Sequence, residues 1–245
     1  MRVALLALYY KQPQYVAGCL RSLLSQSHES TVFVVDNASG DGEIERIKST
    51  YPSVITRVME GNYGYAKTYN IMLHECFSQG YDACIAINID VIADPHMVKE
   101  LVASFERAKK SGVNVGLLQP AILLMSDPTK INTIGNAVHW SGFGYCPDYK
   151  KPVSIIPKED TVITSVSGCC MCISREYFAE VGGFDERFFM YMEDQEYSIR
   201  GQSMGYTHLL STKSRVLHDY TFKMSFGKIL LLANGWFVSL VTPTT

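Results

Sequence analysis

The chain has 245 residues, 47% of them hydrophobic, and a formal net charge of −2. This length allows one large domain or two small ones with a substantial core, and the composition is ordinary for a globular protein. The near-neutral charge and the lack of a lysine- or arginine-rich run argue against a nucleic-acid partner. The seven cysteines are odd in number and unevenly spaced, which argues against a disulfide framework and favours a reducing, cytoplasmic location.

Apolar and amphipathic segments alternate through the first half of the chain. The predicted strands are continuous apolar runs, as expected of parallel strands covered on both faces. They are Val3–Leu8, Thr31–Val35, Ile55–Met59 and Ala83–Ile89. The predicted helices are Pro13–Ser27, Gly42–Thr50, Tyr65–Gln79 and Pro95–Lys110. This alternation predicts βαβ units in a Rossmann-like α/β fold, with a mostly parallel open sheet and helices on both faces.

The pattern changes after a fifth predicted strand, Val115–Leu118. Residues 119–160 are rich in Pro, Gly, Asp and Lys and have no clear period, which predicts loops and short strands. Strand character returns over Thr161–Ile173, and Ser174–Val181 and Glu193–Met204 are predicted helices. The change in composition near residue 119 indicates the edge of a subdomain.

A C-terminal apolar segment occupies residues 222–245. Its apolar stretch, Ile229–Val241, is interrupted by Asn234-Gly235 and is too short to span a bilayer as a helix. The segment could lie on a membrane surface, with Lys223 and Lys228 near the headgroups, or pack on the core. The sequence stops soon afterwards without a polar tail, as a truncated chain would.

Polar, aromatic or glycine-rich residues follow each of the first four predicted strands, where an open α/β sheet binds its ligands. Asp36 could accept a hydrogen bond from a base or a ribose there, although Asp is also a common turn residue. Asp90, in Asn88-Ile89-Asp90, is placed to bind Mg²⁺ or Mn²⁺ together with substrate phosphates. His218 follows a strand-like segment and could be a second ligand, although a single histidine is more often structural. The dinucleotide fingerprint and the Walker A pattern are both absent.

Two adjacent carboxylates, Glu193 and Asp194, follow an aromatic-rich run and begin a predicted helix. Aromatic surroundings raise a carboxyl pKa towards values useful for taking a proton, and each carboxylate raises the pKa of the other. The alternative is an ordinary helix start, because acidic residues favour the first turn.

The joint order of these motifs resembles that of the family-2 glycosyltransferases. The motifs are Tyr10-Lys11-Gln12-Pro13, Val34 to Gly42, Gly61 to Tyr65 with Asn70, Asn88-Ile89-Asp90, Gly182 to Asp185, Phe189 to Asp194, and His218. The resemblance covers roughly residues 3 to 220. It is strongest to bacterial rhamnosyltransferases and related surface-polysaccharide enzymes. It implies a GT-A fold, a nucleotide-sugar donor, a divalent Mg²⁺ or Mn²⁺ ion, and inversion at the anomeric carbon.

The resemblance also implies a role for each candidate residue. Residues 1–118 would form the nucleotide-sugar-binding half, and residues 119–221 the acceptor-binding and catalytic half of the same domain. Asp194 would be the general base, and Glu193 would help to shape its pocket. Asp90 and His218 would bind the metal. The residues expected to bind the nucleotide are Tyr10, Asp36, Asn62, Gly64 and Asn88. Aromatic residues that could stack on sugars or pack in the core are Phe188, Phe189, Tyr191 and Trp140.

We therefore expect a metal-dependent inverting glycosyltransferase of surface polysaccharide synthesis. Its donor would be dTDP-rhamnose or a UDP-sugar, and its acceptor a saccharide or a lipid-linked saccharide. The expected location is cytoplasmic, extending to peripheral contact with the inner face of the membrane. One alternative is a catalytically silent nucleotide-sugar-binding module, which the intact Asp36, Asp90 and Asp194 disfavour. The other is a nucleotidyltransferase, which usually needs a basic, glycine-rich loop after the first strand.

Overall fold

The computed structural model describes residues 1–139 and 144–220. The strands are β1 (Val3–Tyr9), β2 (Ser30–Asp36), β3 (Ile55–Val58), β4 (Ala83–Asn88), β5 (Val91–Ala93), β6 (Val115–Leu124), β7 (Asp127–Thr133), β8 (Ala137–Val138), β9 (Gly144–Tyr145), β10 (Thr161–Ile163), β11 (Cys170–Ser174) and β12 (Thr207–His218). The helices are α1 (Pro13–Leu24), α2 (Glu43–Thr50), α3 (Gly64–Ser78), α4 (Met97–Lys110), α5 (Arg175–Val181) and α6 (Glu193–Ser203), with a 3₁₀ turn at Val153–Ile155.

One large sheet has the strand order β10-β12-β6-β11-β4-β1-β2-β3, with β5 paired to β12 and β7 to β6. Strands β1, β2, β3 and β4 pair in parallel, as do β6 and β12. Because β11 is antiparallel to both β4 and β6, these two groups run in the same direction. The sheet is therefore mixed and mostly parallel, as the sequence predicts.

Helices cover both faces of this sheet. Side chains alternate between the faces along a strand, so Leu5 and Leu6 of β1 pack in hydrophobic clusters on opposite faces of the sheet. Both side chains are fully buried. Helices α1, α2 and α4 pack on the face of Leu5, while α3, α5 and α6 pack on the face of Leu6. Strands of residues 119–220 lie in the same sheet as β1 to β4, so both parts of the chain build one core.

The predicted elements of the first half are present with shifted ends. Strand β1 continues to Tyr9 and β2 to Asp36, and Pro13 begins α1. Helix α4 begins at Met97, after Pro95. The expectation that every strand is covered on both faces is wrong for β3, whose Ile55 and Val58 are exposed. Strand β3 ends the order of the sheet and is therefore an edge strand.

The second half differs more from its prediction. The strand character predicted over Thr161–Ile173 belongs to two separate strands, because β10 pairs with β12 while β11 lies between β4 and β6. Residues 164–169 form the connection between the two strands. Strand β6 continues to Leu124 and is buried along its whole length, so alternation cannot reveal it. Its Pro120 lies where the pairing with β12 is irregular, which lets the sheet accommodate a proline.

No helix among residues 1–139 and 144–220 is long and apolar enough to cross a membrane. The predicted C-terminal segment, 222–245, and Trp140 lie outside the described residues.

Candidate active site

The carboxyl ends of β1, β2 and β4 lie side by side at one edge of the sheet. In their register, Tyr9 of β1 pairs with Asp36, and Leu8 pairs with Asn88. The loop after β1 carries Tyr10, which is exposed. Three predicted nucleotide-binding residues therefore share this edge, because parallel strands end on the same side of a sheet.

Asp36 is buried at the end of β2, and its Oδ1 accepts the backbone N–H of Ser39 at 2.9 Å. This is the local contact that an Asp in a turn makes. In the part of the chain that the structure describes, Oδ2 accepts no hydrogen bond. Asp36 also lines a cleft of about 340 Å³ beside Gly42, Val58 and the start of α2. The turn contact and a ligand contact are thus compatible.

Asn62 and Gly64 accept hydrogen bonds from Asn37, a residue to which the sequence assigns no role. Asn37 Nδ2 donates to Asn62 Oδ1 at 2.8 Å and to the Gly64 carbonyl at 3.1 Å. A Cβ at Gly64, whose φ is +73°, would lie 2.1 Å from the carbonyl oxygen of Phe189. These contacts join the loop after β3 to the segment before α6. The only sequence signal for Asn37 is that Asn favours turns.

Asp90 and His218 come together because β5 and β12 pair antiparallel, with Val91 opposite His218. His218 Nε2 lies 3.4 Å from Asp90 Oδ1, which is buried and has no hydrogen-bond partner. A buried carboxylate oxygen that accepts no hydrogen bond, such as Oδ1 of Asp90, is suited to binding a cation. A divalent ion bound by one or two protein groups and by substrate phosphates fits this pair. No group of three or more His, Cys, Asp or Glu able to hold a metal occurs within residues 1–139 and 144–220.

Asp219 links helix α1 to this pair and was missed by the sequence analysis. Its backbone N–H donates to the Asp90 carbonyl at 3.0 Å, and its Oδ2 accepts the Tyr15 hydroxyl at 2.5 Å. The hydrogen bond to Asp219, together with burial, raises the pKa of Tyr15. Tyr15 therefore remains a hydroxyl donor, and α1 restrains the backbone beside His218.

Asp194 begins α6 with Glu193, and two backbone donors hold its carboxylate. Gly168 N–H donates to Oδ2 at 2.8 Å and Gln195 N–H to Oδ1 at 2.9 Å. Burial raises the pKa of Asp194, and these donors lower it in part, so that it stays above its usual range. The direction agrees with the sequence prediction. The helix-start alternative accounts for the contact within α6, but not for the one from Gly168.

Glu193 is buried, and its Oε2 has no hydrogen-bond partner. Burial, and then the charge of Asp194, raise the pKa of Glu193 well above its usual range. The two carboxyls therefore titrate as a unit. Asp194 accepts hydrogen bonds from the N–H groups of Gly168 and Gln195, whereas Oε2 of Glu193 has no partner, so a state with the negative charge on Asp194 and the proton on Glu193 is favoured.

The segment before α6 is strained. Tyr191 and Met192 have φ angles of +72° and +74°, in the left-handed region that favours glycine. Such residues cost about 1–3 kcal/mol each and cluster at functional sites.

Phe188 is fully buried and packs with Met192 and Tyr191 as a small core, whereas Phe189 is exposed.

A tyrosine pair lies beside His218 and was also missed by the sequence analysis. The rings of Tyr149 and Tyr220 pack edge to face with centroids 5.6 Å apart, and Tyr220 lies 5.5 Å from the His218 ring. Burial raises the pKa of Tyr220 to about 12, and Cys146 and Tyr149 contribute. This aromatic surface adjoins the candidate metal site.

The mixed sheet with helices on both faces is the GT-A fold of glycosyltransferases, and the candidate site lies at the carboxyl edge of its parallel strands. Residues 6–182 match the model of glycosyl transferase family 2, and the chain belongs to that family. The resemblance that the sequence motifs indicate is thereby confirmed.

The chain is similar in sequence to two bacterial proteins. It is 28% identical over 231 residues to the N-acetylglucosaminyl-diphospho-decaprenol L-rhamnosyltransferase of Mycobacterium tuberculosis, covering 86% of this chain and 74% of that protein. It is 24% identical over 228 residues to the O-antigen biosynthesis protein RfbC of Myxococcus xanthus, covering 89% of this chain and 17% of that protein.

Solved structures share the fold at low sequence identity. GalNAc-T7, solved with UDP, GalNAc and Mn²⁺, superposes with a TM-score of 0.73 at 17% identity, over 91% of this chain and 44% of that one. The mannosyltransferase PcManGT of Pyrobaculum calidifontis, solved with GDP-Man and Mn²⁺, gives 0.67 at 14% identity, over 99% and 65%. The chain thus spans less than two thirds of each of these structures.

Proposed function

We propose that this glycosyltransferase is metal-dependent and inverting, and that the edge formed by β1, β2 and β4 is its active site. The observation that carries the proposal is a bridge between the two acidic centres. Gly168 N–H donates to Asp194 at 2.8 Å, and the carbonyl of the next residue, Cys169, accepts the N–H of Asn88 at 3.0 Å. The carboxylate of Asp194 and the end of β4, which precedes Asp90, are thus bonded to adjacent residues of one connection, and this supports a shared active site.

In this proposal Asp90 and His218 hold the divalent ion. The ion would supply Lewis-acid stabilisation for the charge of the leaving nucleoside diphosphate. Asp36, Tyr10 and Asn88 contact the nucleotide from the same edge. Asn62 and Gly64 shape the loop that closes this nucleotide site.

Asp194 removes the proton from the acceptor hydroxyl as that oxygen attacks the anomeric carbon. The N–H of Gly168 orients the carboxylate, and the raised pKa brings its basicity closer to neutral pH. Glu193 holds its own proton and leaves the negative charge on Asp194. A single base without a covalent intermediate inverts the anomeric carbon, through a transition state that resembles an oxocarbenium ion.

The relatives support a narrower assignment of donor and acceptor. The Mycobacterium tuberculosis relative is an L-rhamnosyltransferase whose name specifies a lipid-diphosphate-linked acceptor. We assign to this chain a rhamnosyl donor such as dTDP-rhamnose, with a UDP-sugar as the alternative. The acceptor is a saccharide or a lipid-linked saccharide of surface polysaccharide synthesis, presented at the inner face of the membrane. Residues 1–118 bind the donor, and residues 119–221 bind the acceptor.

A thermal-unfolding screen tests this function. Nucleoside diphosphates, nucleotide sugars and nucleoside triphosphates are added with Mn²⁺ or with a chelator. A ligand at about 100 times its Kd should add about 2.7 kcal/mol to the free energy of unfolding. Transfer to a saccharide acceptor is then measured, with the anomeric configuration of the product. Binding without transfer or donor hydrolysis would favour the silent module, and release of pyrophosphate from a triphosphate would favour a nucleotidyltransferase.

A further inference from the structure

A buried amide lies behind the candidate metal ligand His218. Asn132 of β7 is only 3% exposed, and its Oδ1 lies 2.8 Å from His218 Nδ1. Strand β6 separates the two strands, since β7 pairs with β6 on one side and β12 pairs with β6 on the other. The contact therefore reaches across β6 and depends on the tertiary fold.

This contact determines which ring nitrogen of His218 carries the hydrogen. In the amide orientation of this structure the oxygen of Asn132 faces Nδ1 and can only accept a hydrogen bond, so Nδ1 carries the hydrogen. In the neutral ring, Nε2 then has the lone pair. That lone pair faces Asp90 Oδ1 at 3.4 Å, and this oxygen is itself buried without a hydrogen-bond partner.

We propose that Asn132 is a positioning residue, which holds His218 as the Nδ1–H tautomer so that Nε2 and Asp90 Oδ1 bind a divalent cation together. The proposal rests on the metal role given to Asp90 and His218 above. Groups that hydrogen-bond the far nitrogen of a metal-bound histidine fix its orientation, and their loss typically lowers metal affinity about 10- to 100-fold. Asn132 itself does not touch the cation.

The test compares three variants that differ in what they offer to Nδ1. Asn132→Leu has a similar size but no acceptor. Asn132→Asp keeps an acceptor oxygen. Thr133→Val is the matched control, because Thr133 is buried on the same strand and its hydroxyl donates to Asn136 Oδ1 at 2.8 Å, away from His218. The free energy of unfolding of each variant is measured by urea denaturation, so that a loss of fold is recognised.

Two readouts are used, and neither needs turnover. Binding of Mn²⁺ in the presence of dTDP is followed by electron paramagnetic resonance. The tautomer of His218 in metal-free, ¹⁵N-histidine-labelled protein is read by NMR, with His218→Gln to assign its signals. We expect the Nδ1–H tautomer in the wild type, and a 10- to 100-fold weaker Mn²⁺ affinity in Asn132→Leu. Asn132→Asp and Thr133→Val should keep the affinity.

The failures are distinguishable. A wild-type protein that binds no Mn²⁺ with dTDP would reject the metal role itself. A wild type that binds Mn²⁺ while His218 is the Nε2–H tautomer would overturn the role of Asn132. Equal Mn²⁺ affinity in Asn132→Leu and the wild type would overturn it as well.

Discussion

Gly168 donates its backbone N–H to Oδ2 of Asp194 over 2.8 Å. The carbonyl of Gly168 accepts the hydroxyl of Tyr65 at 2.7 Å, and the N–H of Ser167 donates to Oε1 of the buried Gln119 at 2.6 Å. The connection between β10 and β11 is thus held from α3 and from β6. The positions of α3 and β6 therefore determine, through this connection, where the carboxylate of Asp194 lies.

Replacement of Asp194 tests the base directly. Asp194→Asn keeps the shape and the acceptor for Gly168, so donor affinity should be unchanged. Turnover should fall about 10²- to 10⁴-fold, the usual contribution of a general base. Steady-state kinetics and donor binding are measured together. Asp185→Asn is the control, because the Asp185 carboxylate is already bonded to Arg187, and it should keep turnover. Near-wild-type turnover of Asp194→Asn would remove this residue from the mechanism.

Adding one methyl group at Gly168 should displace the base without touching it chemically. A Cβ there would lie 2.9 Å from the Tyr65 hydroxyl oxygen, so either the loop or the packed Tyr65 ring must shift, and the bond between them with it. A shift of about 1 Å can cost about 10²-fold in rate, so Gly168→Ala should lower kcat by up to that factor with little change in donor affinity. Tyr65→Phe removes the clashing oxygen, and the double variant should recover part of kcat relative to Gly168→Ala. Additive losses would show that the clash is not the cause.

Loss of Asp90 should abolish the effect of the metal on nucleotide binding. In wild-type protein, chelation of Mg²⁺ and Mn²⁺ should weaken binding of a nucleoside diphosphate, measured by calorimetry. Asp90→Asn should bind with the same weak affinity with or without metal, because the orphan oxygen loses its charge. Asp94→Asn serves as the control, since Asp94 is exposed and its Oδ1 accepts the N–H of His96 at 2.9 Å. A metal effect that persists in Asp90→Asn argues against this site.

Asp36 should affect nucleotide affinity and not the fold. Asp36→Asn retains an oxygen for the N–H of Ser39, so the turn should survive. A hydrogen bond to a charged group contributes about 1.5–3 kcal/mol, and affinity for the donor should fall by a corresponding amount. Asp82→Asn, next to the opposite end of β4, should leave that affinity unchanged. If Asp36→Asn binds normally or unfolds, Asp36 is a turn residue alone.

The pH dependence of stability should change when Glu193 is made neutral. Because burial and Asp194 raise the folded-state pKa of Glu193, its stabilising contribution is complete below its unfolded pKa. That contribution is lost as the pH rises through the folded pKa. Glu193→Gln does not titrate, so above about pH 5 its free energy of unfolding should increase relative to that of the wild type as the pH rises towards the folded pKa of Glu193. The gain is about 1.4 kcal/mol for each unit by which the pKa is raised.

Urea denaturation across this range measures the effect, and Asp185→Asn provides the opposite case. Burial acts to raise the pKa of Asp185, but hydrogen bonds from Arg187 outweigh it and hold this pKa below its usual range. Asp185→Asn should therefore lose a constant amount of stability above pH 5. A difference between Glu193→Gln and the wild type that does not vary with pH would contradict a protonated Glu193.

The part of the site that lies on the first four strands could be predicted from the sequence. Apolar runs alternating with amphipathic segments require parallel strands, and parallel strands end at one edge of the sheet. Asp36 and Asn88 were therefore expected at the same edge of the sheet, and the strand order then places β1 between them. The aromatic run before Glu193 also indicated the direction of the pKa shift of Asp194.

Only the tertiary structure decided how the carboxylates are held. The N–H that orients Asp194 comes from Gly168, in a connection between β10 and β11 where the sequence predicts only strand character. The acceptor that fixes His218 comes from Asn132, across a strand whose burial on both faces hides its alternation. These contacts depend on the insertion of β11 between β4 and β6, and on the pairing of β12 with β6. Such pairings are chosen by the packing of the whole core, so the local pattern of residues contains no signal for them.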